Sequence, residues 1–172
     1  MEKKVILLGP MGAGKTTIGQ ILSRELDWPY IDNDEELPRF AHHTREELAA
    51  IPYTELHQYE LKYLKDLVEQ KAPFIGGAAA SVVDYPEGLE ALSKTWNVYL
   101  HLPLEKLLAR AGSSGIGRQA FKDGAEKIIE ERFTRRDPLY KKVAALTIDL
   151  GDDPEADARR ILEAINLLTD PK

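Results

Sequence analysis

The chain has 172 residues, 43% of them hydrophobic and 30% charged, which suits one domain with a sizeable buried core. Its formal net charge of -6 argues against a non-specific nucleic-acid binder or a basic membrane-surface protein. It has no cysteine, which excludes disulfides, zinc–thiolate sites and thiol nucleophiles, and its first apolar run is too short for a signal sequence or a membrane span. We therefore expect a single domain over residues 1–172, cytoplasmic and monomeric, without nucleic-acid or membrane partners.

Short apolar runs alternate along the chain with longer stretches of helical periodicity. Residues 5–8 are typical of a strand buried on both faces, and apolar side chains recur at helical spacing from Thr16 onward. A second strand is predicted at 29–32, and a Thr-x-x-Glu capping box at 44–47 predicts a helix start. Further strands are predicted at 74–75, 96–102 and 146–150, and further helices at 56–68, 104–111, 125–133 and from residue 154. This alternation predicts a parallel sheet wrapped by helices.

A glycine-rich segment lies between the first predicted strand and helix. Residues 9–16 read Gly-Pro-Met-Gly-Ala-Gly-Lys-Thr and fit the pattern G-x-x-x-x-G-K-[ST]. In such a loop backbone N–H groups point at phosphate oxygens, the lysine reaches the β- and γ-phosphates, and the hydroxyl ligates Mg²⁺. An ordinary glycine-rich turn is the alternative, which the complete pattern disfavours. We expect ATP and Mg²⁺ as cofactors, and the expected nucleotide contacts are Gly12, Ala13, Gly14, Lys15, Thr16 and Thr17.

Two carboxylates follow the second predicted strand. Asp32 and Asp34 would lie at the carboxyl edge of the sheet, the edge that also carries the glycine-rich loop. Phosphoryl transfer needs a carboxylate near the magnesium and benefits from a second one near the acceptor hydroxyl. Aspartates at strand ends are also common as turn formers and helix caps, and spacing alone does not choose between these interpretations.

Four stretches taken together resemble the shikimate kinase family of P-loop proteins. They read Gly-Pro-Met-Gly-Ala-Gly-Lys-Thr-Thr-Ile-Gly at 9–19, Tyr-Ile-Asp-Asn-Asp at 30–34, Val-Tyr-Leu-His at 98–101 and Arg-Asp-Pro-Leu-Tyr at 136–140. The resemblance runs nearly end to end. It implies a three-layer P-loop kinase fold, with a five-stranded parallel sheet in the order 2-3-1-4-5, helices on both faces and a lid. It also implies transfer of the γ-phosphoryl of ATP to a hydroxyl of shikimate, giving shikimate 3-phosphate.

The resemblance assigns roles to residues of the acceptor side. Asp34 would contact the acceptor hydroxyl as a catalytic residue, and Asp32 would hold magnesium through water. Arg136 would bind the substrate carboxylate from the Arg-x-Pro-Leu-Tyr stretch. The alternative for Arg136 is an ion pair with Glu131 or Asp137 at a helix end.

The resemblance also implies mobile and substrate-binding segments. Residues 33–62 would bind the substrate and residues 112–122 would form the lid, whose Arg118 would join Lys15 in catalysis by reaching the transferring phosphoryl group. Closure of such a lid excludes water, which otherwise competes as the acceptor. Arg110 matches a position that stacks on adenine; the alternative is a solvated arginine at a helix C-terminus.

The sequence departs from the family pattern in the acceptor half of the site. His57 stands where the family has the arginine of an F-R-x-x-E stretch, and alanines at 78–80 stand where the family has a Gly-Gly-Gly turn. A shift of one or two residues would return the glycines at 76–77 to that turn. A guanidinium gives a carboxylate two parallel hydrogen bonds, whereas a histidine gives one. A surface position is the alternative for His57; the expected acceptor contacts are Asp34, His57, Ala78, Ala79 and Arg136.

Three functions are compatible with this pattern. The first is a shikimate kinase, and the second is a kinase of the same fold for another small hydroxylated acceptor. The third is a nucleotide-binding regulatory protein without phosphotransfer. Retention of Lys15, Thr16, Asp32, Asp34 and Arg118 argues against the third.

Overall fold

The computed structural model describes residues 3–111 and 125–169 of the chain. Five short β-strands within these residues pair in parallel to form one sheet. Their order, β2-β3-β1-β4-β5, confirms the predicted topology. In the central strand, Val5 lies opposite Ile75 on one side and Trp96 on the other. The strands are β1 (Lys4–Leu8), β2 (Tyr30–Asp32), β3 (Phe74–Gly77), β4 (Trp96–His101) and β5 (Leu146–Asp149).

Helices cover both faces of the sheet and give the predicted three layers. Alternate side chains of β1 enter different cores, Val5 and Leu7 on one face and Ile6 and Leu8 on the other, because strand side chains alternate in direction. The helices are α1 (Lys15–Leu26), α2 (Asn33–Ala41), α3 (Arg45–Ala50), α4 (Tyr53–Glu69), α5 (Pro86–Leu92), α6 (Leu104–Ala111), α7 (Ala125–Val143) and α8 (Pro154–Thr169), and Ala80–Asp84 form a 3₁₀ turn.

The seventh helix is longer than predicted. The sequence predicts an end near residue 133, whereas α7 continues through Pro138 to Val143. A proline inside a helix removes one backbone hydrogen bond. The buried Tyr140 stabilises the extension, because its ring stacks on Tyr99 with centroids 4.8 Å apart and its hydroxyl donates to the carbonyl of Ala80 at 2.7 Å.

Local capping decides where several helices begin. Thr44 accepts from the backbone N–H of Glu47, and the Glu47 carboxylate accepts from the N–H of Thr44, which confirms the predicted capping box. Two short helices, α2 and α5, were not predicted, because each offers at most three buried positions. Among the residues described, no helix has the length and apolar character needed to cross a membrane.

Candidate active site

The glycine-rich loop joins β1 to α1 in a conformation that requires glycine. Gly14 precedes the first turn of α1 with φ of 95°, a left-handed conformation that other residues adopt at a cost. At Gly9, a β-carbon would lie 3.0 Å from the carbonyl oxygen of Leu100. Lys15 folds back over the loop, and its Nζ donates to the carbonyls of Gly9 at 2.7 Å and Pro10 at 3.0 Å. The loop therefore presents an ammonium group beside a helix N-terminus, an arrangement suited to phosphate.

Burial and two carboxylates set the charge of this ammonium group. Burial lowers the pKa of Lys15 to about 8, and the charges of Asp34 and Asp32 limit that fall. A bound phosphate would raise the pKa again, since an anion favours the charged lysine. The loop is thus poised to hold a polyphosphate with a fully protonated Lys15.

Asp32 connects the glycine-rich loop to the second strand. Its Oδ2 accepts from the hydroxyl of Thr16 at 2.7 Å and from that of Tyr30 at 2.9 Å, and its Oδ1 caps α2 by accepting from the N–H of Asp34 at 2.8 Å. The sequence did not decide between a functional role and a helix-capping role for Asp32. The structure shows that Asp32 caps α2 and also contacts the glycine-rich loop. Hydroxyl and carboxylate oxygens are ligands that Mg²⁺ accepts alongside water and phosphate. Across residues 3–111 and 125–169, no three His, Cys, Asp or Glu side chains cluster as metal ligands.

Sequence reasoning missed Tyr30. It lies two positions before Asp32 on β2, so both side chains leave the strand on the same face, and this spacing is a signal that could have found it. A β-carbon at Gly19 would collide with the Tyr30 ring, and one at Gly77 would collide with its hydroxyl. Burial raises the pKa of Tyr30 well above its ordinary value, so the hydroxyl stays a hydrogen-bond donor to Asp32.

The glycines at the end of β3 serve packing. A β-carbon at Gly76 would press against Ile6 and Leu67, while the alanines at 78–80 line the pocket beside the loop. The same pocket brings together the predicted residues Lys15, Thr16, Asp32, Asp34, His57, Ala78, Ala79 and Arg136.

Arg136 lies at the inner wall of this pocket, 6% exposed. Its Nε and Nη2 donate to Oδ2 of Asp84 at 2.9 and 2.7 Å, so the alternative pairing with Glu131 or Asp137 is wrong. Burial opposes ionisation of Asp84, but hydrogen bonds from Arg136 and Arg135 outweigh it and hold the pKa of Asp84 below its ordinary value. Asp84, which sequence reasoning missed, therefore fixes the direction of the Arg136 guanidinium.

His57 lines the same pocket from α4, so the alternative of a plain surface position is wrong. Its Nδ1 lies 3.1 Å from the hydroxyl of Tyr85. Burial lowers the pKa of His57, and the positive charge of Arg136 lowers it further. His57 is therefore a neutral hydrogen-bonding group at neutral pH, and it does not supply the cation that the family places there.

Glu60, one turn after His57 on α4, was also missed as a pocket residue. Its Oε2 accepts from the hydroxyl of Ser81 at 2.5 Å. Burial raises the pKa of Glu60 to about 7, and the hydrogen bond from Ser81 opposes that rise. At neutral pH Glu60 is partly protonated, so the pocket is less negative than its count of carboxylates indicates.

Two predicted arginines remain, Arg110 and Arg118. Arg110 is on α6, and its Nη1 donates to the carbonyl of Gly12 at 3.0 Å, so it reaches the glycine-rich loop. Its stacking on adenine stays a prediction. Arg118 and the predicted lid at 112–122 lie outside the described residues.

A family profile described as "Shikimate kinase" matches residues 11–166. The chain belongs to the shikimate kinase family. This confirms the resemblance seen in the sequence and makes the chain a member of a family of phosphotransferases that act on a hydroxyl group.

Individual shikimate kinases are similar over most of this chain. The Hahella chejuensis enzyme is 26% identical over 172 residues, covering 95% of this chain and 86% of that protein. The bifunctional shikimate kinase/3-dehydroquinate synthase of Thermotoga maritima is 31% identical over 166 residues, but the chain spans 32% of its length. The solved structure of the Acinetobacter baumannii shikimate kinase in complex with shikimate has 28% identity and a TM-score of 0.86, covering 100% of this chain and 97% of that one.

Proposed function

We propose that this chain transfers the γ-phosphoryl group of ATP to a ring hydroxyl of shikimate, giving shikimate 3-phosphate. One observation carries the proposal: a P-loop lysine, a carboxylate at the sheet edge and a buried arginine converge on one pocket. The lysine is Lys15, the carboxylate is that of Asp34 and the arginine is Arg136. Membership of the shikimate kinase family supports the same acceptor. We further propose that residues 1–172 act as one domain, in a monomer in the cytoplasm.

The nucleotide half of the site binds phosphate. The N–H groups at the start of α1 and the ammonium of Lys15 hold the β- and γ-phosphates. Arg110, which donates to the carbonyl of Gly12, stacks on the adenine. Thr16 and Asp32 fit a magnesium ion, whose oxygen ligands they would complete with phosphate and water. Such an ion supplies charge neutralisation on the phosphates when bound. Tyr30 keeps the Asp32 carboxylate facing Thr16.

The acceptor half orients a hydroxyl and a carboxylate. Asp34 accepts the hydrogen bond of the attacking hydroxyl and is placed to take its proton. The Nη1 of Arg136 has no hydrogen-bond partner among the described residues, and it donates to the acceptor carboxylate. Methyl groups at Ala78 and Ala79 narrow the wall where the family has glycine. Arg118 stabilises the charge on the transferring group once the lid closes.

The test is a coupled ADP-release assay with purified protein, ATP and Mg²⁺. Shikimate should give turnover with KM below a millimolar, and quinate, gluconate and nucleoside monophosphates should give far less. Turnover on one of those acceptors with none on shikimate would overturn the proposed acceptor while leaving phosphotransfer in place. ATP binding without turnover on the whole panel would favour a regulatory nucleotide-binding protein instead.

A further inference from the structure

Helix α7 presents two arginines to the acceptor pocket. Arg132 and Arg136 are one turn apart, a spacing that puts both side chains on the same helix face, and both line the pocket. Arg136 is buried, whereas Arg132 is half-buried, one turn nearer the helix start. The sequence reading assigned Arg136 a role and left Arg132 without one.

Aromatic groups of α4 lie around Arg132. Its guanidinium carbon lies 5.6 Å from the ring centroid of Tyr53, and that ring lies 6.2 Å from the ring of His57. A guanidinium over an aromatic face gains cation–π attraction, which holds its positive charge in place. The positive charge of Arg132 also contributes to the lowered pKa of His57, which is consistent with their proximity. A cation is therefore held beside the position where the family's arginine would lie.

The pocket needs such a cation if its acceptor carries a carboxylate. Asp84 is the ion-pair partner of Arg136 and occupies its Nε and Nη2. His57 offers a neutral imidazole whose Nδ1 is already paired with Tyr85. A carboxylate leaving water for this pocket would otherwise meet a single arginine that is already paired with an aspartate, which is a costly exchange.

We propose that Arg132 is the second carboxylate-binding arginine of this acceptor site, taking the part that position 57 plays elsewhere in the family. The inference rests on the proposed function, since it concerns how the same acceptor is held. The arginine is supplied by α7 instead of α4, and it lies against the ring of Tyr53. The acceptor carboxylate is bound between Arg132 and Nη1 of Arg136.

Steady-state kinetics of Arg132→Met test this assignment, because methionine keeps the length of the side chain and removes its charge. Losing a charge-assisted contact of ~1.5–3 kcal/mol corresponds to a rise in the KM for shikimate of about 10- to 100-fold. The KM for ATP and kcat should stay within about twofold, since neither depends on the carboxylate contact. The matched control is Arg159→Met, the same change at an exposed position of α8 outside the pocket, and its constants should equal the wild-type values.

The methyl ester of shikimate separates charge recognition from packing. For this neutral acceptor, Arg132→Met and wild type should have the same KM, because no carboxylate is present to lose a partner. A second check is Arg132→Met combined with His57→Arg, which returns a guanidinium to position 57 and should recover most of the lost affinity. If Arg132→Met folds poorly, Arg132→Lys serves in its place and should show a smaller rise for shikimate and none for the ester.

Each result decides one question. An unchanged KM for shikimate in Arg132→Met would overturn the role of Arg132, and so would an equal rise in KM for shikimate and its ester. In either case, turnover of shikimate by the wild-type protein would leave the proposed function standing. A wild-type protein that binds ATP and does not turn over shikimate overturns the proposed function, and the carboxylate role of Arg132 falls with it.

Discussion

Arg136, which lines the acceptor pocket, forms an ion pair with Asp84, with Nη2 of the arginine 2.7 Å from Oδ2 of the aspartate. Their side chains are 7% and 15% exposed, so little water screens the pair. The pair joins α7 to the 3₁₀ turn after β3, two segments that meet only in the folded protein. A residue expected to bind substrate is therefore also part of what holds the pocket wall together.

Asp84→Asn should destabilise the protein. The change leaves the buried guanidinium of Arg136 without an anionic partner, which costs about 2–4 kcal/mol when a pair of this burial is broken. Urea unfolding at neutral pH measures the loss. The control is Glu131→Gln, which removes the carboxylate of an exposed ion pair with Arg135 on the same helix and should cost less than about 1 kcal/mol. Equal effects of the two changes would contradict a structural role for the Asp84 pair.

Lys15→Met should abolish most turnover while leaving the fold intact. The ammonium group of Lys15 donates to the loop carbonyls of Gly9 and Pro10, beside the proposed phosphate site. Its loss would remove a positive charge that acts on the transferring group. We expect kcat to fall by at least about 10²–10³-fold, the scale for removing one transition-state donor. Lys142→Met on the exposed side of α7 is the control and should keep wild-type turnover. A Lys15→Met enzyme with normal kcat would show that the loop does not hold the γ-phosphate.

The sequence predicted the parts of the site that are local in the chain. The loop motif lies within eight residues, and Asp32 and Asp34 follow one strand, so strand and helix patterns were enough to place them together. The Arg136–Asp84 pair joins residues 52 positions apart, and no local pattern connects them. Asp84 also lies in a 3₁₀ turn that has no periodic signature.

The same limit explains the misplaced helix end. Pro138 indicates a break when only α7 itself is considered, because proline cannot donate the next helix bond. The stack of Tyr140 on Tyr99 of β4 overrides that local preference. The reduced charge of Glu60 and His57 likewise comes from burial by distant segments, which no spacing along the chain reports.

Tyr30→Phe should weaken the positioning of Asp32. The change removes the hydroxyl that donates to Oδ2 at 2.9 Å but keeps the ring that packs on Gly19. We expect a fall in kcat of about 10- to 100-fold and a raised Mg²⁺ requirement, corresponding to ~1.5–3 kcal/mol for one lost hydrogen bond to a charged group. Initial rates over a magnesium titration measure both. Tyr59→Phe, which removes a hydroxyl that contacts His43, is the control and should leave the magnesium dependence unchanged. A Tyr30→Phe titration that matches wild type would assign Tyr30 to packing alone.

Glu60→Gln should make stability less sensitive to pH. The pKa of Glu60 in the folded protein is about 7, above its ordinary value of 4.5, so the folded state binds the proton more tightly than the unfolded state. The stabilisation from this proton is fully present below pH 4.5 and is lost as the pH rises through 7. Glutamine stays neutral and can still accept from Ser81, so Glu60→Gln should gain ~1–3 kcal/mol relative to wild type between pH 5 and pH 8.5. Urea unfolding at the two pH values measures this gain. Glu130→Gln, the same change at an exposed position of α7, is the matched control. A Glu60→Gln difference that does not change with pH would show that Glu60 is ionised in the folded protein at both pH values.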